Sequence, residues 1–138
     1  MATFGSDEWV QAFHDAVNAS KAHEDAAKTW EGDFYFIVEP SGSVTNPVYM
    51  YIDLWHGKSR KAFIAKDAAE MKPEFVITAP VANWKKVIEK KLDPIQGLVT
   101  RQLKLQGNIG KIMRAVKAAQ ELVNCTTRVA TEFPEELG

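Results

Sequence analysis

The chain has 138 residues, 46% of them hydrophobic and 25% charged, a size and balance that fit a single folded domain over residues 1–138 and exclude a disordered chain. Seventeen Lys and Arg against eighteen Asp and Glu leave a net charge of −1, so no global basic field gathers phosphates and nucleic acid is not an expected partner. Cys125 is the only cysteine, which excludes an internal disulfide and any multi-cysteine zinc site.

The first residues carry no basic segment followed by an apolar one, and no run approaches the roughly 18 apolar residues of a membrane span, so the expected compartment is the cytoplasm. Behind Ser6 and Asp7, which suit a capped helix start, Trp9, Val10, Phe13, Ala16, Val17 and Ser20 recur at helical spacing. Residues 21–28 keep good helix formers, so the helix either continues toward Trp30 or breaks into a second short piece, with Glu31 and Gly32 ending it.

From Asp33 the pattern changes. Residues 34–38 are aromatic or β-branched and lead to a turn cluster at residues 40–43, which predicts a strand and a hairpin exit. Residues 48–55 form a second predicted strand, residues 56–58 a tight turn and residues 61–65 a third strand, together an antiparallel meander. After a polar connection, residues 75–78 predict a fourth strand ended by Pro80.

Pro80 suits the first turn of a helix whose apolar face is Val81, Trp84, Val87, Ile88 and Leu92. Asp93 and Pro94 mark a second start, and Ile95, Leu98 and Val99 a short helix broken by Gly97. Residues 101–106 alternate, with Leu103 and Leu105 on one face, and read as a fifth strand. Asn108 caps the last helix, whose apolar face is Ile109, Ile112, Met113, Val116, Ala119 or Gln120, and Val123. Residues 125–133 are β-branched and ambiguous. The class is α+β.

The catalytic inventory is thin. His14, His23 and His56 are scattered, and the two that can share a helix are nine residues apart, not the three or four that stack metal ligands on one face. Cys125 has no histidine beside it and no Gly-x-Ser-x-Gly elbow exists. The His23, Glu24, Asp25 run and the Glu135, Glu136 pair read as surface charge. The expectation is no catalytic residue, no metal and no cofactor. Gly107, Asn108, Ile109, Gly110 and Lys111 are spaced too closely for a phosphate loop, and the strand before them does not suit an RNA clamp; the glycines serve a tight strand-to-helix turn.

The order Asp93, Pro94, then Gly97, then Leu103 to Gly107 and Asn108 to Gly110, followed by the apolar helix, resembles the sterol carrier protein type 2 (SCP-2) family. The opening helix, the meander and the strand-to-helix junction at Pro80 fall in the same order. The resemblance implies a five-stranded, mostly antiparallel sheet covered on one side by helices and enclosing a hydrophobic tunnel. It also implies non-enzymatic binding and intracellular transfer of fatty acid, fatty acyl-CoA, sterol or phospholipid. Matched positions place Leu103 and Leu105 on the last strand and Ile109, Ile112, Met113 and Val116 on the covering helix. With Ile77, Trp84, Ile88, Ile95, Leu98 and Val99 they make the expected apolar cavity. Arg101 and Gln102 stand where relatives often carry an apolar or glycine pair, and residues 127–133 have no obvious counterpart. The C-terminal residues Glu135, Glu136, Leu137 and Gly138 are not a Ser-Lys-Leu-type peroxisomal address, which suits a prokaryotic or cytosolic member.

An apolar stripe at helical spacing is also what a filled core shows, and composition does not separate core from cavity. Burying about 15 methylenes at roughly 0.8 kcal/mol each would supply on the order of 12 kcal/mol before association costs. Lys85, Lys86, Lys90, Lys91, Lys111 and Lys117 are positioned in sequence to meet a carboxylate, a CoA phosphate or an anionic membrane, or simply to solvate helix faces. Expected partners are a lipid or fatty acyl ligand and, transiently, a membrane surface or an acyl-CoA enzyme. Two other readings stay open: an accessory subunit or enzyme acting on acyl-CoA thioesters, with His56 the one candidate residue, and a structural dimerisation domain. In a tunnel, Met113→Trp would fill empty space at little cost in stability.

Overall fold

The structure, a computed structural model, describes residues 1–134; Glu135 and Glu136, expected as surface carboxylates, and the C-terminal tetrapeptide lie outside the described residues. The chain opens with β1 (Ala2–Thr3) and α1 (Asp7–Ala19), where Ser6 Oγ accepts the Trp9 amide at 3.2 Å and satisfies one of the free donors of the first turn. α1 buries Trp9, Val10, Phe13 and Val17. The helix then breaks. Ser20 is extended, and its hydroxyl accepts the His23 amide at 3.0 Å, so one residue closes α1 and caps α2 (Lys21–Ala26). α2 stops at Ala27, and Glu31 and Gly32, expected to end the helix, belong to the next strand instead.

That strand is β2 (Glu31–Glu39), paired antiparallel with β3 (Val48–Trp55) from Glu31 opposite Trp55 to Val38 opposite Val48. β3 pairs antiparallel with β4 (Lys58–Ala65), which begins three residues earlier than its apolar core suggests. β5 (Phe75–Pro80) lies parallel to β2, Phe34 opposite Phe75, and antiparallel to β6 (Lys104–Gln106). The sheet order is β4-β3-β2-β5-β6, mixed through its one parallel pair. Alternation along β2 sends Phe34, Phe36 and Val38 to the helix-covered face, and Tyr35 and Ile37 to the other, where they meet Tyr49, Tyr51 and Phe63 in a smaller cluster.

Pro80 ends β5 and serves as the cap of α3 (Val81–Ile88) without entering its first turn; Lys90, at φ 61°, ends the segment, so Leu92 lies beyond the helix face assigned to it. Asp93 Oδ2 accepts the Ile95 and Gln96 amides at 3.0 and 3.1 Å and starts α4 (Pro94–Val99) with proline at its first position. Gly97 does not break this helix. It lies inside it, against Leu103.

The fifth strand is shorter than its alternation suggests, because Arg101 at φ 62° turns the chain and Leu103 bonds its amide to the Gly97 carbonyl at 3.0 Å; Leu103 is therefore buried just before β6, not on it. The last helix is also two helices, α5 (Ile109–Met113), capped by Asn108, and α6 (Val116–Thr126), with Ala115 out of helical geometry at φ −125°, ψ 36°. Residues 131–132 then form β7 (Thr131–Glu132), parallel to β1, with Ala2 opposite Thr131. Phe4 and Phe133 rings lie 5.7 Å apart beside this ribbon, and Trp9 Nε1 donates to Thr131 Oγ1 at 2.9 Å. Among the described residues no helix is long and apolar enough to cross a membrane.

Candidate functional site

Between the sheet and the helices lies an apolar cavity of about 130 Å3. At ~10–15 Å3 for each water it could hold, this is many times a packing void. Phe34 and Phe36 of β2, Met50 and Leu54 of β3 and Ile77 of β5 form the floor. Four aromatic rings run along it in contact: Trp30 to Phe34 at 5.8 Å, Phe34 to Phe36 at 5.2 Å and Phe36 to Trp84 at 5.7 Å. Trp9 and Phe13 of α1, Trp84 and Ile88 of α3, and Ile95 and Leu98 of α4 close the sides.

Of the twelve expected lining residues, the structure brings seven together on this wall: Ile77, Trp84, Ile88, Ile95, Leu98, Leu103 and Ile112. The other five stand outside it. Val99, Ile109 and Met113 are exposed, at 57, 43 and 43%, and Leu105 and Val116 are half-buried without lining it. The break between α5 and α6 is the reason for Met113 and Val116. A single helix from Ile109 would present its large side chains to the cavity, but α6 instead turns Ala118, Ala119, Leu122, Val123 and Thr126 inward, with Ala115 at its cap. These positions are spaced as one helix face, and their alanines leave the space that leucines would fill.

The tryptophans face the cavity with carbon. Each nitrogen is satisfied elsewhere: Trp9 on Thr131, Trp30 on the Gly32 carbonyl at 3.1 Å and Trp84 on the Ile37 carbonyl at 3.0 Å. A ring so tethered presents an apolar surface without burying an unpaired donor.

A second, more polar depression of about 280 Å3 shares Val87, Pro94 and Val123 with the cavity wall and is bordered by Lys90, Asp93, Lys117 and Asn124. Lys90 Nζ donates to Asn124 Oδ1 at 2.6 Å, and Lys117 pairs with Glu121 at 3.1 Å. The amide of Asn124 and the Lys117 ammonium hold the Glu121 carboxyl below the usual range. Of the other lysines singled out, Lys111 is engaged by Glu74 at 2.8 Å and by the Glu31 carbonyl at 2.6 Å.

The histidines do not converge. His14 Nδ1 lies 2.6 Å from Ser59 Oγ, and His56, half-exposed in its turn, lies 2.6 Å from Glu31 and outside the cavity wall. Among the described residues no group of three or more potential ligands is arranged to hold a metal. His23 is the histidine the cavity uses: it is 2% exposed, lines the wall and sits 3.2 Å from the Gly57 carbonyl through Nδ1. Its neighbours Glu24 and Asp25 are polar, and the sequence signal that marks it is helical spacing from Ser20 on the buried side of a short helix. Burial drives its pKa below the ordinary imidazole value. Cys125, fully buried, has its thiol pKa raised by the same cause.

The profile of the SCP-2 sterol transfer family matches residues 11–120. A crystal structure of a sterol carrier protein 2 is 35% identical, with a TM-score of 0.85 over 92% of this chain and 99% of that one. A solution structure from Thermus thermophilus, of a conserved hypothetical protein described as possibly a sterol carrier protein, is also 35% identical, with a TM-score of 0.84 over 94% of this chain and 91% of that one. At 15% identity, the palmitated SCP2L2 protein of Aedes aegypti has the same fold, with a TM-score of 0.52 over 80% of this chain and 93% of that one. A comparison with curated protein sequences returned no match.

Proposed function

Because the chain belongs to the SCP-2 sterol transfer family, whose members generally bind and transfer lipids and sterols, we propose that it is a non-enzymatic carrier moving a single lipid within the cell. The observation that carries this reading is the apolar cavity beside a depression bordered by Lys90 and Lys117. A hydrocarbon chain gains roughly 0.8 kcal/mol for each methylene moved from water onto such a wall. Fatty acid and fatty acyl-CoA place their tails along the aromatic floor and their anionic heads at Lys90 and Lys117, as a palmitated fold neighbour makes chemically reasonable. Sterol and phospholipid are further candidate cargoes, delivered to a membrane surface or to an acyl-CoA enzyme.

Members of this family are typically carriers, and the same domain also occurs within enzymes. The hydroxyl and the imidazole on the cavity wall, Thr126 and His23, are bonded to the Val123 and Gly57 carbonyls and not to one another, so the reading assigns the wall no chemistry of its own.

The test is titration of delipidated protein with a fluorescent fatty acid, with palmitate, palmitoyl-CoA and cholesterol as competitors. Saturable one-to-one binding reversed by competitors is the expected result. No binding up to the solubility limit of the lipids would sink the carrier reading and turn attention to the exposed apolar residues as an interface.

A further inference from the structure

The polar groups on the cavity wall have spent nearly all their donors. The three indole N–H groups are bonded to Thr131, Gly32 and Ile37, and the Thr126 hydroxyl donates to the Val123 carbonyl at 2.6 Å. His23 completes the set. Its Nδ1 lies 3.2 Å from the Gly57 carbonyl, and a carbonyl oxygen only accepts, so the proton belongs on Nδ1 and Nε2 keeps a lone pair. Among the described residues no protein donor reaches Nε2, although the ring is 2% exposed. Burial also favours the neutral ring. The acid on the facing helix, Glu121, is occupied by Asn124 and Lys117.

We propose that His23 Nε2 is a head-group anchor inside the cavity, accepting a hydrogen bond from the hydroxyl of an uncharged amphiphile. The inference rests on the carrier reading above and refines it to a ligand class. A hydrocarbon bearing an O–H group satisfies the acceptor. Its methyl ether, with no proton to give, leaves it unmet. An ionised carboxylate finds no donor on this wall and keeps its head outside, near Lys90 and Lys117.

The experiment measures displacement of a bound NBD-labelled fatty acid from the delipidated full chain at pH 7.5 by 1-dodecanol and by 1-methoxydodecane, for the native protein and for His23→Phe. The alcohol should displace the probe at a concentration on the order of tenfold lower than the ether, the value of one hydrogen bond made inside an apolar cavity. In His23→Phe the ratio of the two affinities should fall to near unity, whatever change in wall shape the two ligands share. Equal affinity of alcohol and ether for the native protein overturns the anchor and leaves the carrier reading standing; that comparison needs no variant to fold. A preference that survives in a folded His23→Phe also overturns it. Failure of the native protein to take up the probe overturns the carrier reading and the anchor together.

Discussion

A methyl group on Gly97 would stand 2.9 Å from Leu103 Cδ1 and 3.0 Å from its Cγ, closer than packed carbons tolerate. Leu103 lines the cavity, so it has empty space to move into. Gly97→Ala should therefore cost under about 1 kcal/mol in a urea midpoint, since the helix gains roughly 0.5–1 kcal/mol from alanine. Fatty-acid affinity should fall at the same time, because the displaced leucine occupies ligand volume. A loss of about 2–3 kcal/mol with affinity intact would mean that Leu103 borders packed atoms.

Ala118 offers a more direct filling test. It lines the cavity from α6, and Ala118→Phe should abolish lipid binding while changing stability by less than about 1 kcal/mol, where a packed core would lose roughly 1–3 kcal/mol. Met113→Trp, which the sequence recommends for the same purpose, becomes the control: Met113 is 43% exposed and outside the wall, so both stability and binding should hold within about 0.5 kcal/mol. Comparing the two variants by denaturation and probe titration separates wall from surface.

Charge at the neighbouring depression has its own signature. Lys90→Ala combined with Lys117→Ala should weaken palmitate and palmitoyl-CoA by roughly threefold to tenfold at low salt, less at high salt, and leave 1-dodecanol unaffected. Equal weakening of the alcohol would mean that the lysines act on the fold and not on the anionic head.

The His23 pKa is lowered chiefly by burial, with Lys58 pushing the same way and the Gly57 carbonyl and Glu121 opposing it. Below the ordinary imidazole value of 6.5 the unfolded chain takes up a proton that the folded one refuses, so stability is whole above that pH and declines as pH falls below it. Urea midpoints between pH 8 and pH 5 should show this decline in the native protein and a shallower one in His23→Phe. Parallel slopes would remove His23 from the account.

Gly57 has φ 85°, and a side chain there would place its Cβ 2.6 Å from the Glu24 Cα, a backbone atom that cannot swing aside. Gly57→Ala should cost more than about 2 kcal/mol and loosen the turn against α2. A thermal denaturation curve matching the native protein would show that the turn has another seat.

Local chemistry is what the sequence discloses best. Ser6, Asp93 and Asn108 announce helix starts because a cap acts on amides two or three residues away, and all three do so here. The five strands of the main sheet and the family are legible for the same reason, since alternation and turn residues are short-range signals. What stays hidden depends on distant partners. The parallel seat of β5 beside β2, the pairing of β1 with β7 and the turn that takes Leu103 off its strand have no local marker. The cavity itself is hidden for another reason: hydrophobic periodicity rewards large side chains such as Met113 and Val116, whereas Ala115, Ala118 and Ala119 make the room. His23 is obscured by its polar neighbours.

The tie between Trp9 and Thr131 spans 122 residues of sequence. Contacts that close so long a loop form after the local ones, because their entropy cost comes before their reward. On a ribosome this sets a schedule. The sheet and most helices can assemble as they emerge, but the side of the cavity held by Trp9 stays unfinished until β7 is synthesised. A chain that has not yet reached Thr131 therefore leaves Trp9 without this tie, and the apolar cavity is complete only once β1 and β7 have paired.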